Sequence, residues 1–131
     1  MNFLDATAKV EGEKAFLEVA GLKIALPAEK AKKVIAGGYD GKTVVMGIRP
    51  EDVYDAKLYA NADPTGKFEA KVNVYELLGA EALLYYDLAE FPMIARVDPK
   101  TAARTGDVAE FAIDVEKIHV FDKETEQVIT N

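Results

Sequence analysis

At 131 residues the chain is sized for one domain, and half of its residues are hydrophobic, so it can bury a core without disulfides, for which it has no cysteine. Its net charge of −7, from 23 acidic and 16 basic residues, repels phosphate backbones and argues against nucleic-acid partners. No apolar run approaches the roughly 18 residues of a membrane span, and Met1-Asn2-Phe3-Leu4-Asp5 lacks the basic and apolar regions of a secretory signal, so a soluble, cytoplasmic chain with no membrane insertion is expected.

Ala6 to Val10 is the first predicted strand, closed by a turn at Glu11-Gly12-Glu13-Lys14. Phe16 and Val19 belong to a second run, broken at Ala20-Gly21. Leu22, Ile24 and Leu26 then alternate with Lys23 and Ala25 at strand period. Pro27 suits the first position of a helix, where its missing N–H costs nothing. Ala28, Ala31, Val34 and Ile35 fall on one face of that helix, and Gly37-Gly38 ends it, so a single helix is predicted over 28–36. Lys30, Lys32 and Lys33 form the one dense basic run, read as a solvated helix face.

Thr43 to Ile48 reads as a buried strand stopped by Arg49-Pro50. Asn61-Ala62-Asp63-Pro64-Thr65-Gly66 is dense in turn formers and is the one candidate internal boundary. One long strand is predicted from Phe68 to Glu76, broken by Leu77-Leu78-Gly79. Ala82–Leu88, Pro92–Val97, Val108–Val115 and Ile118–Phe121 complete the set. Short strands at this spacing mean a barrel or a sandwich, and one inserted helix favours a mainly β, OB-like barrel.

Most residues that look chemical have a structural reading. Ala36 to Thr43 satisfies a relaxed phosphate-loop pattern, Ala-Gly-Gly-Tyr-Asp-Gly-Lys-Thr. Phosphate binding there needs a strand before the loop and a helix after it; here the order is reversed, and Asp40 puts a negative charge where phosphate would sit. His119 is the sole histidine and has no cysteine beside it, so it builds no zinc site, and the chain has no serine nucleophile. The carboxylate pairs Glu51/Asp52 and Asp122/Glu124 lie at strand ends or turns, where water is expected to keep their pKa values ordinary. Tyr85 and Tyr86 point to opposite faces of one strand, one to the core and one outward. No catalytic residue, metal or cofactor is expected.

Gly47-Ile48-Arg49-Pro50-Glu51-Asp52 resembles the hallmark of the C-terminal regulatory domain in the maltose and multiple-sugar ABC importer ATPases. Four further stretches match that family in order: Met1 to Leu4, Val74 to Glu81, Ala95-Arg96-Val97 with Gly106-Asp107-Val108, and Ile118 to Thr125. The resemblance spans the chain and implies a single transport-associated OB-like domain without its ATPase. It implies a regulatory and dimerisation role, with the ATPase domain, a regulatory protein and a second copy in a weak homodimer as partners. The alternative is a barrel that senses a small oxyanion or sugar. Within the hallmark, Gly47 is expected to admit a neighbouring backbone, Arg49 to hold a carboxylate or carbonyls, and Pro50 to end the strand and start a short helical turn. Glu51 and Asp52 then sit near that turn's positive end. Glu126 departs from the family, which often has glycine in the closing turn; this bears on the shape of that turn.

Overall fold

The computed structural model describes residues 1–59 and 63–131. The chain is mainly β, as the sequence predicts, and three antiparallel sheets share its core. β1 (Asn2–Glu11), β2 (Lys14–Val19), β3 (Leu22–Ala25), β4 (Thr43–Ile48), β11 (His119–Asp122) and β12 (Val128–Thr130) form a six-stranded sheet in the order β12-β11-β4-β1-β2-β3. β5 (Val53–Asp55), β6 (Lys67–Lys71) and β10 (Val108–Ile113) form a second, in the order β5-β10-β6. β7 (Val74–Leu78), β8 (Glu81–Leu88) and β9 (Phe91–Val97) form a sequential third.

Strand alternation decides which side chains enter the core. In β1, Asn2, Leu4, Ala6 and Ala8 are buried while Phe3 and Thr7 face out. Leu17, Ile24, Val44, Met46, Ile48, Leu84, Ala95, Ile113, Ile118 and Val120 meet them from the other strands. Tyr86 stacks on Phe111 with ring centroids 4.5 Å apart, and Phe68 closes the cluster at 5.4 Å from Phe111. This core draws on residues from both sides of the candidate boundary.

The helix α1 spans Ala28–Ala36, as predicted. Pro27 is its cap rather than its first residue, and its carbonyl accepts from the Ala31 N–H at 2.9 Å. Ala31 and Val34 are buried and Ile35 partly so, but Ala28 is exposed. Lys30 corrects the reading of a fully solvated basic face. It is buried, its ammonium reaches the Asn131 carbonyl oxygen, and burial holds its pKa below the ordinary value against the pull of Glu116.

Several predicted boundaries move. β1 begins at Asn2, not Ala6. The predicted strand over 68–76 is two strands in two sheets. Val72 donates to the Asp107 carbonyl at 2.8 Å, whereas Asn73 donates to that of Tyr85 at 2.7 Å, so the chain changes partner between them. Leu77 and Leu78 continue β7 instead of breaking it, because the turn lies at Gly79, with φ of 58°. The strand over 108–115 ends at Ile113; Asp114 caps a 3-10 turn, Val115–Lys117, by accepting from the Glu116 N–H. β5 and β12, three residues each, were not predicted. Of the candidate boundary, Asn61 and Ala62 lie outside the described residues. Pro64–Gly66 is a 3-10 turn capped by Asp63, which accepts from the Thr65 N–H at 2.8 Å.

Candidate functional site

Two surface regions combine shape with charge. The first surrounds the hallmark, where β4 ends at Ile48 and Pro50 opens a 3-10 turn over Pro50–Asp52. Arg49 is exposed and caps that turn through its backbone, its carbonyl accepting from the Asp52 N–H at 2.9 Å. Among the described residues its guanidinium forms no ion pair. Asp52 does not keep an ordinary pKa: burial, then Glu51 and Asp114, raise it, while Lys117 and Arg49 pull the other way. Beside the turn lies a cleft of about 330 Å³ lined by Glu51, Tyr54, Tyr59 and Arg96. Tyr54 and Tyr59 stack 4.3 Å apart. Burial and the Asp114 carboxylate push the Tyr54 phenol up to about 12. Arg96 is already committed to Glu81 at 3.2 Å.

The second region is a groove of about 440 Å³ on the outer face of the six-stranded sheet. Its apolar walls are Phe3 of β1, Val45 of β4, Phe121 of β11 and Phe91 from the start of β9. Pairing of Asp5 with Val45, and of Val45 with Phe121, sets these side chains in a row across three strands. Phe3 and Phe121 meet edge to face at 5.9 Å. Gly47 makes that contact possible: a Cβ there would lie 3.1 Å from Phe121 Cε2, 3.3 Å from Phe3 Cε1 and 2.7 Å from Met1 Sδ. The hallmark glycine thus admits side chains, not the neighbouring backbone expected from the sequence.

The rim of the groove is polar. Lys123 donates to both oxygens of Asp5, at 2.8 and 3.0 Å. Asp122 is well engaged: it accepts from the Glu124 and Thr125 N–H groups at 2.8 and 2.9 Å and from the Tyr39 hydroxyl at 2.7 Å. The Thr125 N–H and the Tyr39 hydroxyl lead in holding its carboxyl below the usual range, so this carboxylate, too, departs from the ordinary value expected of it. Glu126 completes the rim at φ of 62°, the left-handed conformation that glycine adopts freely. The sequence flagged Glu126 for its turn alone. The groove as a whole was missed, although Phe3, Asp5, Val45 and Phe121 alternate with buried neighbours in a legible way.

The other singled-out residues have structural partners. In Ala36–Thr43 the helix does precede the strand, and the amides of Gly37, Gly38, Tyr39, Gly41 and Lys42 donate to backbone carbonyls. Asp40 accepts from the Val10 N–H at 2.8 Å. His119 is half-buried between fully buried Ile118 and Val120, its Nδ1 3.2 Å from Asn131 Oδ1. Tyr86 is in the core; Tyr85 faces out and donates to Glu76 at 2.5 Å.

Comparison with known families decides which frame these regions belong to. Residues 1–53 match the MalK OB fold domain and residues 62–120 match the TOBE domain. The chain belongs to the MalK OB fold and TOBE domain families. It is 36% identical over 110 residues to the oligosaccharides import ATP-binding protein MsmX of Bacillus subtilis, covering 84% of this chain and 30% of MsmX. It is 36% identical over 129 residues to the multiple sugar-binding transport ATP-binding protein MsmK of Streptococcus mutans, covering 98% of this chain and 33% of MsmK. The trehalose/maltose import ATP-binding protein MalK of Thermococcus litoralis is 31% identical over 131 residues, covering 98% of this chain and 34% of that protein. The chain therefore spans about a third of the length of these relatives. Among solved structures, the molybdate-binding protein ModG matches with a TM-score of 0.65 at 17% identity, over 91% of this chain and 94% of ModG. That likeness concerns the fold: an OB-like architecture. The matched segments are the OB and TOBE part of an importer ATPase and not its catalytic ATPase domain.

Proposed function

We propose that this OB–TOBE chain acts as one non-catalytic domain that regulates the ATP-binding subunit of a sugar ABC importer on the cytoplasmic face of the membrane, and that it pairs weakly with a second copy of itself. The observation that carries this reading is identity of 31–36% to three sugar-import ATP-binding proteins, running over nearly the whole chain in two of them. Its partners are then the ATPase domain and a regulatory protein, and no cofactor is needed. Gly47 to Asp52 serve in this reading as a structural corner. Gly47 seats two phenyl rings, Pro50 turns the chain, and the Asp52 carbonyl accepts from the Asp114 N–H at 2.9 Å, tying the corner to the end of β10. Replacing the matching region of MsmX by this chain tests the reading. The chimera is expected to restore sugar uptake to cells lacking MsmX. A chimera that is made and assembles with its membrane partners but leaves uptake absent overturns it.

A second reading, a barrel that binds a small ligand, is favoured by the groove on the six-stranded sheet. An oxyanion fits that groove poorly, because its rim carries Asp5, Asp122 and Glu126 against the single cation Lys123.

A further inference from the structure

We infer that the groove between Phe3, Phe91 and Phe121 is a site for an uncharged sugar ring. The inference rests on the regulatory reading, to which it adds a ligand. Ligand sites are mostly apolar, with a few placed polar groups that fix orientation. This groove has that composition, with phenyl rings on its walls, Val45 among them, and charged groups confined to the rim. A pyranose has the complementary surface: a face of C–H bonds that packs against aromatic rings, and hydroxyls around its edge. Asp5 and Lys123 offer a paired acceptor and donor for two neighbouring hydroxyls, since a carboxylate has four lone-pair sites and an ammonium three protons, only some of them used between the two. Glu126 offers an acceptor from the opposite turn. Asp122 has less to offer, because the Tyr39 hydroxyl and two backbone N–H groups already take three of its acceptor sites; its part is to fix the turn that carries Lys123 and Glu126.

Charge narrows the ligand class. Three rim carboxylates repel phosphorylated sugars and inorganic oxyanions, and the single cation, Lys123, is already held by Asp5. A neutral, hydroxyl-rich ring does not meet that objection.

Backbone conformation gives an independent argument. Four non-glycine residues among those described have positive φ; one of them, Glu126, lines the groove, while Ala89 and Glu90 form the two-residue turn before Phe91. Glycine at position 126 would relieve the cost of a left-handed side chain and remove the carboxylate. The chain keeps the carboxylate. Asn2 fixes the opposite wall: its side-chain amide donates to the Ile94 carbonyl at 2.8 Å and accepts from the Ile94 N–H at 3.0 Å, holding β9 and therefore Phe91 against β1.

The test is a two-dimensional NMR titration of the 131-residue chain with glucose and maltose, and separately with glucose 6-phosphate, molybdate and choline. The neutral sugars are expected to move the resonances of Asp5, Val45, Phe91, Phe121 and Glu126, and the charged probes to leave them in place. Glu126→Gly is expected to raise the thermal midpoint while weakening sugar binding about tenfold, the worth of one hydrogen bond to a charged group. A residue that only shaped the turn would not give that opposition of stability and affinity. Phe121→Ala should abolish binding. The inference is overturned if neutral sugars move nothing up to their solubility limit, if the shifts map elsewhere, if Glu126→Gly binds as the parent does, or if a charged probe fills the groove instead. A functional MsmX chimera with no sugar-induced shifts sinks the site alone; shifts with a dead chimera sink the regulatory reading alone.

Discussion

Asp52 is a carboxylate whose ionisation the fold opposes, through burial first and then through Glu51 and Asp114. Its folded pKa lies above the unfolded value, so the folded state holds the proton more tightly than the unfolded chain does. As pH rises from the ordinary carboxylate range through the raised value, that proton is given up and stability falls. Asp52→Asn removes the effect. The variant should be more stable than the parent at about pH 7, by no more than about 0.5 kcal/mol because the group is partly exposed, and equal to it at about pH 3. Urea midpoints at the two pH values check this, and equal offsets at both would contradict it. The sequence located this residue but not its environment, because Asp114 arrives from a strand end 62 positions away. Tyr85 and Tyr86 show the reverse case, since period 2 separates a core ring from a surface ring without any tertiary information. Lys30 marks the limit of that reasoning: a long amphipathic side chain at the edge of a helix face can lie along the core, and helical spacing alone did not say so.

Elements with a clear period were legible, and those defined by their partners were not. β4, β8, β9 and α1 lie close to where alternation or helical spacing puts them. The apolar alternation of Phe68, Ala70, Val72 and Val74 runs across a change of sheet, although Val74 is exposed once there, so nothing local marked the break at Val72 and Asn73. β5 and β12 are too short to carry a pattern and exist because β10 and β11 offer them ladders. The groove was invisible for a related reason: its walls come from β1, β4, β11 and the β8–β9 turn, brought together by topology. Asn2 is the clamp between two of those elements. Asn2→Ala leaves the Ile94 N–H and carbonyl without their partner in a largely buried place, and should cost about 1–3 kcal/mol. Denaturant unfolding measures the loss. If the clamp acts as described, amide exchange should speed at Ile94 and Phe91 more than at Leu17 on β2. Uniform acceleration would mean a general loss of stability rather than an opened wall.

At the scale of the molecule the proposed self-association has an edge strand in its favour and the net charge against it. β7 is the outer strand of its sheet and exposes Val74, Leu77 and Leu78, 47%, 57% and 50% accessible. Thr105 covers the start of this edge by accepting from the Tyr75 N–H at 3.1 Å; the remainder, with its apolar side chains, is a template for pairing with another chain, and a symmetric pair uses the same patch twice. Glu76 lies in the middle of that strand, and each chain carries −7, so two copies repel one another at low ionic strength. In a transporter, other subunits would hold two copies at high effective concentration, so the contact need not be strong by itself. Five residues of strand give an interface well under the roughly 1,200 Å² of stable complexes, and the affinity expected is correspondingly weak. Sedimentation velocity over a concentration series should show a monomer–dimer equilibrium that shifts toward dimer as salt rises to about 0.15 M, where charges more than about 8 Å apart are screened. Leu77→Lys with Leu78→Lys should abolish the dimer and leave the unfolding midpoint nearly unchanged, since both side chains are exposed in the monomer. A dimer that survives this pair of changes uses another face, and a dimer that weakens as salt is added is not held apart by charge in the way argued.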